Sequence, residues 1–143
     1  MSKSIFSTLP TGDFVLASAS ATRVKLLENA GLGFHQYPVS IDEDALRAAG
    51  IADAISLQDI AVMLAEMKAA VAVQRLDTEQ LVPPVYILGC DQILVCEEIV
   101  YSKPKDTATA KSQLLALSGK THQLLTAAVL FQRGKRIWHH VSV

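Results

Sequence analysis

The run Val85-Tyr86-Ile87-Leu88-Gly89-Cys90-Asp91 stays apolar until it ends on a single acidic residue. A strand buried on both faces of a parallel sheet reads as an unbroken hydrophobic segment, and α/β proteins place their chemistry just past the carboxyl ends of such strands. The run therefore predicts a central strand that ends at Asp91, with Asp91 as a catalytic carboxylate. Gly89 lets another backbone or a ligand come close, and Gln92 adds a second polar group before the apolar Ile93-Leu94-Val95-Cys96. Pro83 and Pro84 stand just upstream, and a proline can open a strand but cannot sit in its middle.

Working outward, Phe14 to Ala17 reads as a short strand. The small-residue turn Ser18-Ala19-Ser20-Ala21-Thr22-Arg23 leads from it into a helix with Val24, Leu26, Leu27 and Ala30 on its apolar side, closed by Gly31. The free amides and positive dipole end of such a helix favour a phosphate, and Ser18, Ser20 and Arg23 add hydroxyl and guanidinium donors there. A serine N-cap and a surface arginine would explain the same residues without any ligand. Phe34, Tyr37 and Val39 suggest a second, irregular strand. The acidic Asp42-Glu43-Asp44 that follows suits a solvated loop or a helix start, and gains a role only if the fold carries it to Asp91.

Ser56 caps the clearest helix, in which Leu57, Ile60, Ala61, Leu64 and Val71 share a face. Lys68 falls on that same face. Its stem could snorkel to water, or its ammonium could point into an anion pocket, since a buried lysine without a partner is costly. Gln74 to Pro84 is predicted to be a polar connection. After Asp91, Ile93 to Cys96 and Ile99 to Tyr101 read as two strands joined at Glu97-Glu98. Neither glutamate readily takes positive φ, so a longer or irregular turn is expected there. Pro104 holds Lys103 extended, aiming it away from the helix that starts at Asp106 or Thr107. That helix carries Ala110, Leu114 and Leu117 on one side and closes at Gly119. Gln123 to Phe131 and Arg136 to Val143 then form a strand pair across a Gln132-to-Lys135 turn.

With 143 residues, half of them hydrophobic and 19% charged, and a formal net charge of −1, the chain predicts one soluble domain without general attraction to nucleic acid. Cys90 and Cys96 lack zinc spacing and read as buried thiols of a cytoplasmic protein. The N-terminus lacks the apolar core of a signal peptide, and no run reaches membrane-spanning length. Ser118-Gly119-Lys120-Thr121 is not a phosphate-binding loop, because the glycine that motif requires would fall on Leu114 and the order here is helix to strand. His35, His122, His139 and His140 have no ligand spacing.

These pieces, in this order, resemble the Maf family of nucleoside triphosphate pyrophosphatases. That family's L-A-S-x-S-P-R-R-x-x-L-L is matched by Leu16 to Leu27, its D-E by Asp42-Glu43, and its L-A-x-x-K-A by Leu64 to Ala69. Its G-x-D-[TQ] is matched by Gly89 to Gln92, its K-P by Lys103-Pro104, and its L-S-G-x-T-H by Leu117 to His122. The resemblance implies an α/β fold with a mixed twisted sheet flanked by helices, of the inosine-triphosphatase-like kind. It implies hydrolysis of a nucleoside triphosphate to the monophosphate and pyrophosphate. Asp91 would be the base for water and Glu43 would help hold a divalent metal, magnesium or manganese. Ser18, Ser20, Arg23, Lys68 and Lys103 would bind the triphosphate.

Two departures stand out. Ala21 and Thr22 replace the family's proline and first arginine, which removes a cation from the turn. Thr22 and Gln92 fall on positions that separate branches by substrate, and aspartate followed by glutamine resembles the branch acting on 7-methyl-GTP. Members of the family usually continue beyond the strand at Arg136 to Val143. The chain is therefore expected to be a shortened form, whose last strand leaves an edge for pairing in a homodimer. A nucleotide-binding or regulatory protein without turnover is the alternative such a shortened form allows.

Overall fold

The computed structural model describes residues 14–79 and 86–143. Residues 1–13 and 80–85, which include Val85 and the Pro83-Pro84 pair, lie outside the described part. Ten elements follow in order: β1 (Phe14–Leu16), α1 (Ala21–Asn29), β2 (His35–Gln36), α2 (Glu43–Ala52), α3 (Leu57–Thr78), β3 (Tyr86–Cys96), β4 (Ile99–Tyr101), α4 (Thr107–Leu117), β5 (Gln123–Gln132) and β6 (Lys135–Ser142). The sheet runs β2-β1-β3-β5-β6, with β4 also on β3; β1 pairs parallel with β2 and β3, and the remaining pairs are antiparallel. The fold is thus α/β, with a mixed six-stranded sheet and four helices among the described residues.

β3 is the axis of this sheet. Ile87, Ile93 and Val95 point to the covered face together with Asp91, and opposite them on β5 stand Leu125, Ala127, Val129 and Phe131. The alternation follows the two-residue period of a strand. α3 covers this face with Ile60, Ala61, Leu64, Ala65, Lys68, Ala69, Ala72 and Leu76, all buried. Removing Ile60 or Leu64 from water is worth about 1.5–3 kcal/mol each, and the alanines between them let the helix settle close to the strand. Gly89 makes that approach possible. A Cβ there would run into the backbone carbonyl of Ala65 and lie 3.2 Å from the Ala69 methyl.

Several expectations from the sequence need correction. Asp91 is not at the end of its strand but inside it, because β5 pairs with β3 continuously from Tyr86 to Val95. The Glu97-Glu98 connection is a two-residue turn: Cys96 pairs with Ile99, and both glutamates adopt positive φ, 49° and 66°. The hairpin register overrides the side-chain preference, and Lys120 pairs with Glu97 at 2.8 Å. α3 continues to Thr78, so the expected connection from Gln74 is helical over its first residues. The second strand shrinks to His35–Gln36. The apolar sides foreseen for α1 and α4 bury nothing fully, and Leu26 and Leu114 are 62% and 69% exposed. Among the described residues no helix is long and apolar enough to cross a membrane.

Candidate active site

The sheet has a break beside Asp91. On one edge of β3, β1 pairs with Tyr86 to Leu88 and β4 with Leu94 to Cys96, so Gly89 to Ile93 have no strand partner on that side. In a strand the amides and carbonyls of alternate residues point to the same edge. Ala17 donates to the Leu88 carbonyl on the β1 side, so the polar backbone of Cys90 and Gln92 faces into the break. Main-chain groups that a strand would otherwise pair face side chains there instead.

Lys68 of α3 fills part of this opening. Its ammonium donates to the Cys90 carbonyl at 3.2 Å and to Asp91 Oδ1 at 3.1 Å, and it pairs with Glu43 Oε1 at 2.7 Å. Three elements therefore meet on one nitrogen. Asp91 is 1% exposed and its Oδ2 is buried without a partner. Burial pushes the Asp91 carboxyl above the ordinary aspartate range; the Lys68 charge and its hydrogen bond oppose that rise, Glu43 adds to it slightly and Arg47 opposes it slightly. The result is a buried carboxyl group with one oxygen bonded to Lys68 and the other without a protein partner.

Glu43 reaches the site because Asp42 caps α2: its side chain accepts from the Ala45 amide at 3.1 Å and turns the acidic run into a first helical turn. At the other side of the break, Ser20 caps α1 by accepting from the Arg23 amide at 3.3 Å. The buried Ser18 hydroxyl accepts from the Ser20 amide at 3.1 Å and from Arg23 Nη1 at 3.4 Å, and the Gln36 amide donates to the Ser18 carbonyl at 2.9 Å. The capping role is real, and it aims Arg23. Burial raises the Cys90 thiol pKa, and Arg23 and then Lys68 lie near enough to oppose this. Thr22 is exposed on the first turn of α1, beside Arg23.

Lys103 and Gln92 stand apart from the Asp91 cluster. Lys103 is exposed and no partner for it is seen among the described residues, but Ser102 before it accepts from Arg47 Nη1 at 3.3 Å and donates to Asp44 at 2.8 Å. Gln92 follows Asp91 in a strand, so it faces the other side of the sheet, where its amide donates to Thr126 at 2.9 Å. The residues singled out from the sequence thus split: Glu43, Lys68 and Asp91 are in direct contact, Ser18, Ser20 and Arg23 form a second group, and Gln92 lies on the opposite face.

Sequence reasoning missed Arg47, Ser102 and Gln36. Arg47 stands four residues after Glu43 and three after Asp44, a spacing that pairs charges on a helix and could have flagged it. The Gln36 and Ser102 contacts are long-range and leave no local signal.

A magnesium-sized ion commonly takes one or two carboxylates and completes its shell with waters and substrate phosphates. Glu43, which meets the same Lys68 ammonium as Asp91, supplies one such carboxylate at the edge of the break. Among the described residues no three His, Cys, Asp or Glu side chains gather into a site that would hold an ion without substrate.

The site is thus a break in an α/β sheet beside a buried carboxyl group, with Lys68 from α3 bonded to it and Arg23 of α1 held by Ser18 nearby. The family model described as Maf-like protein matches residues 13–143, and the chain belongs to that family. It is 45% identical over 128 residues to the nucleoside triphosphate pyrophosphatase 1 of Jannaschia sp. (strain CCS1), covering 90% of this chain and 62% of that protein. It is 43% identical over 133 residues to the 7-methyl-GTP pyrophosphatase of Mesorhizobium japonicum, covering 93% and 64%. A 7-methyl-GTP pyrophosphatase of Brucella abortus is 41% identical over 133 residues, with the same 93% and 64% coverage. The chain therefore spans slightly less than two thirds of the length of these relatives.

Proposed function

We infer that the protein is a nucleoside triphosphate pyrophosphatase acting on a modified or non-standard nucleotide, with 7-methyl-GTP the first substrate to try. Water attacks the α-phosphorus, the α–β anhydride P–O bond breaks, and the nucleoside monophosphate and pyrophosphate leave. The observation that carries this reading is the buried Asp91, ionically held by Lys68 through one oxygen and free at the other. An oriented, buried carboxylate with an unused lone pair is suited to take the proton of an attacking water. Burial raises its pKa, which strengthens it as a base.

Triphosphate hydrolysis depends on charge neutralisation and alignment. Lys68, Arg23 and Lys103 supply cations from α3, α1 and the loop before α4. Ser18 and Ser20 hold Arg23 and offer hydroxyls. Glu43 would help hold a magnesium or manganese ion, its shell completed by waters and substrate phosphates, and the ion when bound neutralises phosphate charge. Thr22 and Gln92 lie outside the Asp91 cluster, which suits residues that select the nucleotide rather than cleave it. The names of the relatives from Mesorhizobium and Brucella favour the 7-methylguanine nucleotide. A second copy of the chain paired along the exposed β6 edge, where Ile137 and Trp138 are about half exposed, belongs to the same reading.

The test is pyrophosphate release from a panel of natural and modified triphosphates with magnesium or manganese. Release that favours the modified guanine nucleotide and is lost in Asp91→Asn supports the reading. No release from any member, or an unchanged rate in Asp91→Asn, overturns it. Calorimetric binding of triphosphate without turnover would instead support a nucleotide-binding protein.

A further inference from the structure

The geometry points to Arg47 as a positioning residue that ties the start of α2 to the loop carrying Lys103, so that the cluster at Glu43 and the Lys103 ammonium keep a fixed spacing. This rests on the reading of Lys103 as a phosphate-binding cation. Arg47 is 7% exposed, an unusual place for an arginine on a short helix. Buried charges are kept where they are paired.

Its guanidinium joins two segments far apart in sequence. Within α2 it pairs with Asp44 at 3.0 Å and lies 3.9 Å from Glu43. Across to the loop it donates to the Ser102 hydroxyl at 3.3 Å, and that hydroxyl donates to Asp44 at 2.8 Å. Arg47, Asp44 and Ser102 thus close a three-membered ring of polar contacts. The Ser102 carbonyl is also held by Gln113 of α4 at 2.8 Å, so the residue before Lys103 is fixed through both side chain and backbone. Pro104 restricts Lys103 from the other side. The Lys103 backbone has little freedom once Ser102 is placed, and Arg47 shares that placement with Asp44 and Gln113.

Glu43, the other end of the junction, bonds Lys68, which bonds Asp91. A chain of hydrogen bonds and ion pairs therefore runs from Ser102 through Arg47 and Glu43 to Lys68 and Asp91, its loosest link the 3.9 Å separation of Arg47 and Glu43. A lysine could not replace Arg47. Its single ammonium cannot span Asp44, Glu43 and Ser102 as the planar fork does. Arg47 Nε is buried and unpaired, so the side chain is not placed to satisfy every donor; its position follows the junction.

The test uses the whole chain and two readouts. The first is amide hydrogen exchange in the wild type, Arg47→Lys and the milder Ser102→Ala. Both variants should speed exchange at residues 43–47 and 101–105 together by about tenfold, roughly the loss of one charge-assisted hydrogen bond, leaving β3 and β5 protected. Unchanged exchange at 101–105 in a folded Ser102→Ala overturns the junction. The second is calorimetric affinity for α,β-methylene GTP with magnesium. Ser102→Ala should weaken binding about as much as Lys103→Ala, and the double variant no further. Full additivity means that Ser102 does not act through Lys103 and overturns the positioning role. A wild type that binds no analogue removes the phosphate reading and with it the role of Lys103, while the exchange result still decides whether Arg47 couples the two segments.

Discussion

The Lys68 ammonium on α3 lies 3.1 Å from Asp91 Oδ1 in the middle of β3, and both residues are buried. A lysine on an apolar helix face and an aspartate in an apolar strand would each be expensive alone. Together, with Glu43 at 2.7 Å from the same nitrogen, they make a polar cluster that the core tolerates. Removing one partner should leave the other charges stranded. Lys68→Met is expected to cost about 3 kcal/mol in urea unfolding. A loss below about 0.5 kcal/mol would mean the pair is not held as described.

The same contact governs how Asp91 titrates. Burial raises its pKa and Lys68 opposes the rise, so Lys68→Met should move the Asp91 carboxyl titration still higher, as followed by carbon NMR. The sign for stability follows from linkage. A carboxyl with a raised pKa in the folded state costs nothing below its unfolded pKa, and its full cost is present above the folded one. The stability of Asp91→Asn relative to wild type should therefore rise with pH from the ordinary aspartate range through the raised value. A difference independent of pH across that window would contradict it.

Gly89 is where the fold sets the site. Because a methyl there meets the Ala65 carbonyl and the Ala69 methyl, Gly89→Ala should force α3 away from β3 and cost about 2 kcal/mol. Lys68 sits three residues beyond Ala65, so affinity for triphosphate should fall along with the melting temperature. A variant with unchanged melting temperature would show that α3 does not pack this closely.

The turn at Glu97-Glu98 offers a gain instead. Both residues sit at positive φ, where an L side chain crowds its own carbonyl. Glu98→Gly keeps the Glu97 to Lys120 pair and should stabilise the hairpin by about 1 kcal/mol in thermal unfolding. A loss of stability would mean that the Glu98 side chain makes a contact worth more than the strain.

Much of the fold was legible because its signals are local. The apolar run of β3, the serine cap of α3, Gly31 after α1 and the paired strands β5 and β6 can each be read from neighbouring residues. The centrality of Asp91 and the anomaly of Lys68 were also legible, since each breaks an apolar pattern. The Glu97-Glu98 turn was misread because strand register, fixed by long pairing of β3, decided a conformation that side-chain preference opposes. The position of Asp91 within its strand was missed because β5, which extends the pairing past it, lies more than thirty residues downstream. Arg47 escaped notice because its partner Ser102 is distant in sequence, and the opposite facing of Asp91 and Gln92 followed only once Asp91 was seen to be inside a strand.

The central claim is that Asp91 directs water to the α-phosphorus. Hydrolysis of 7-methyl-GTP with magnesium in water enriched in oxygen-18, followed by phosphorus NMR, tests it most directly. The account predicts label in the monophosphate, none in the pyrophosphate, and loss of turnover in Asp91→Asn. Label in the pyrophosphate, or labelling at the wild-type rate in Asp91→Asn, would contradict it.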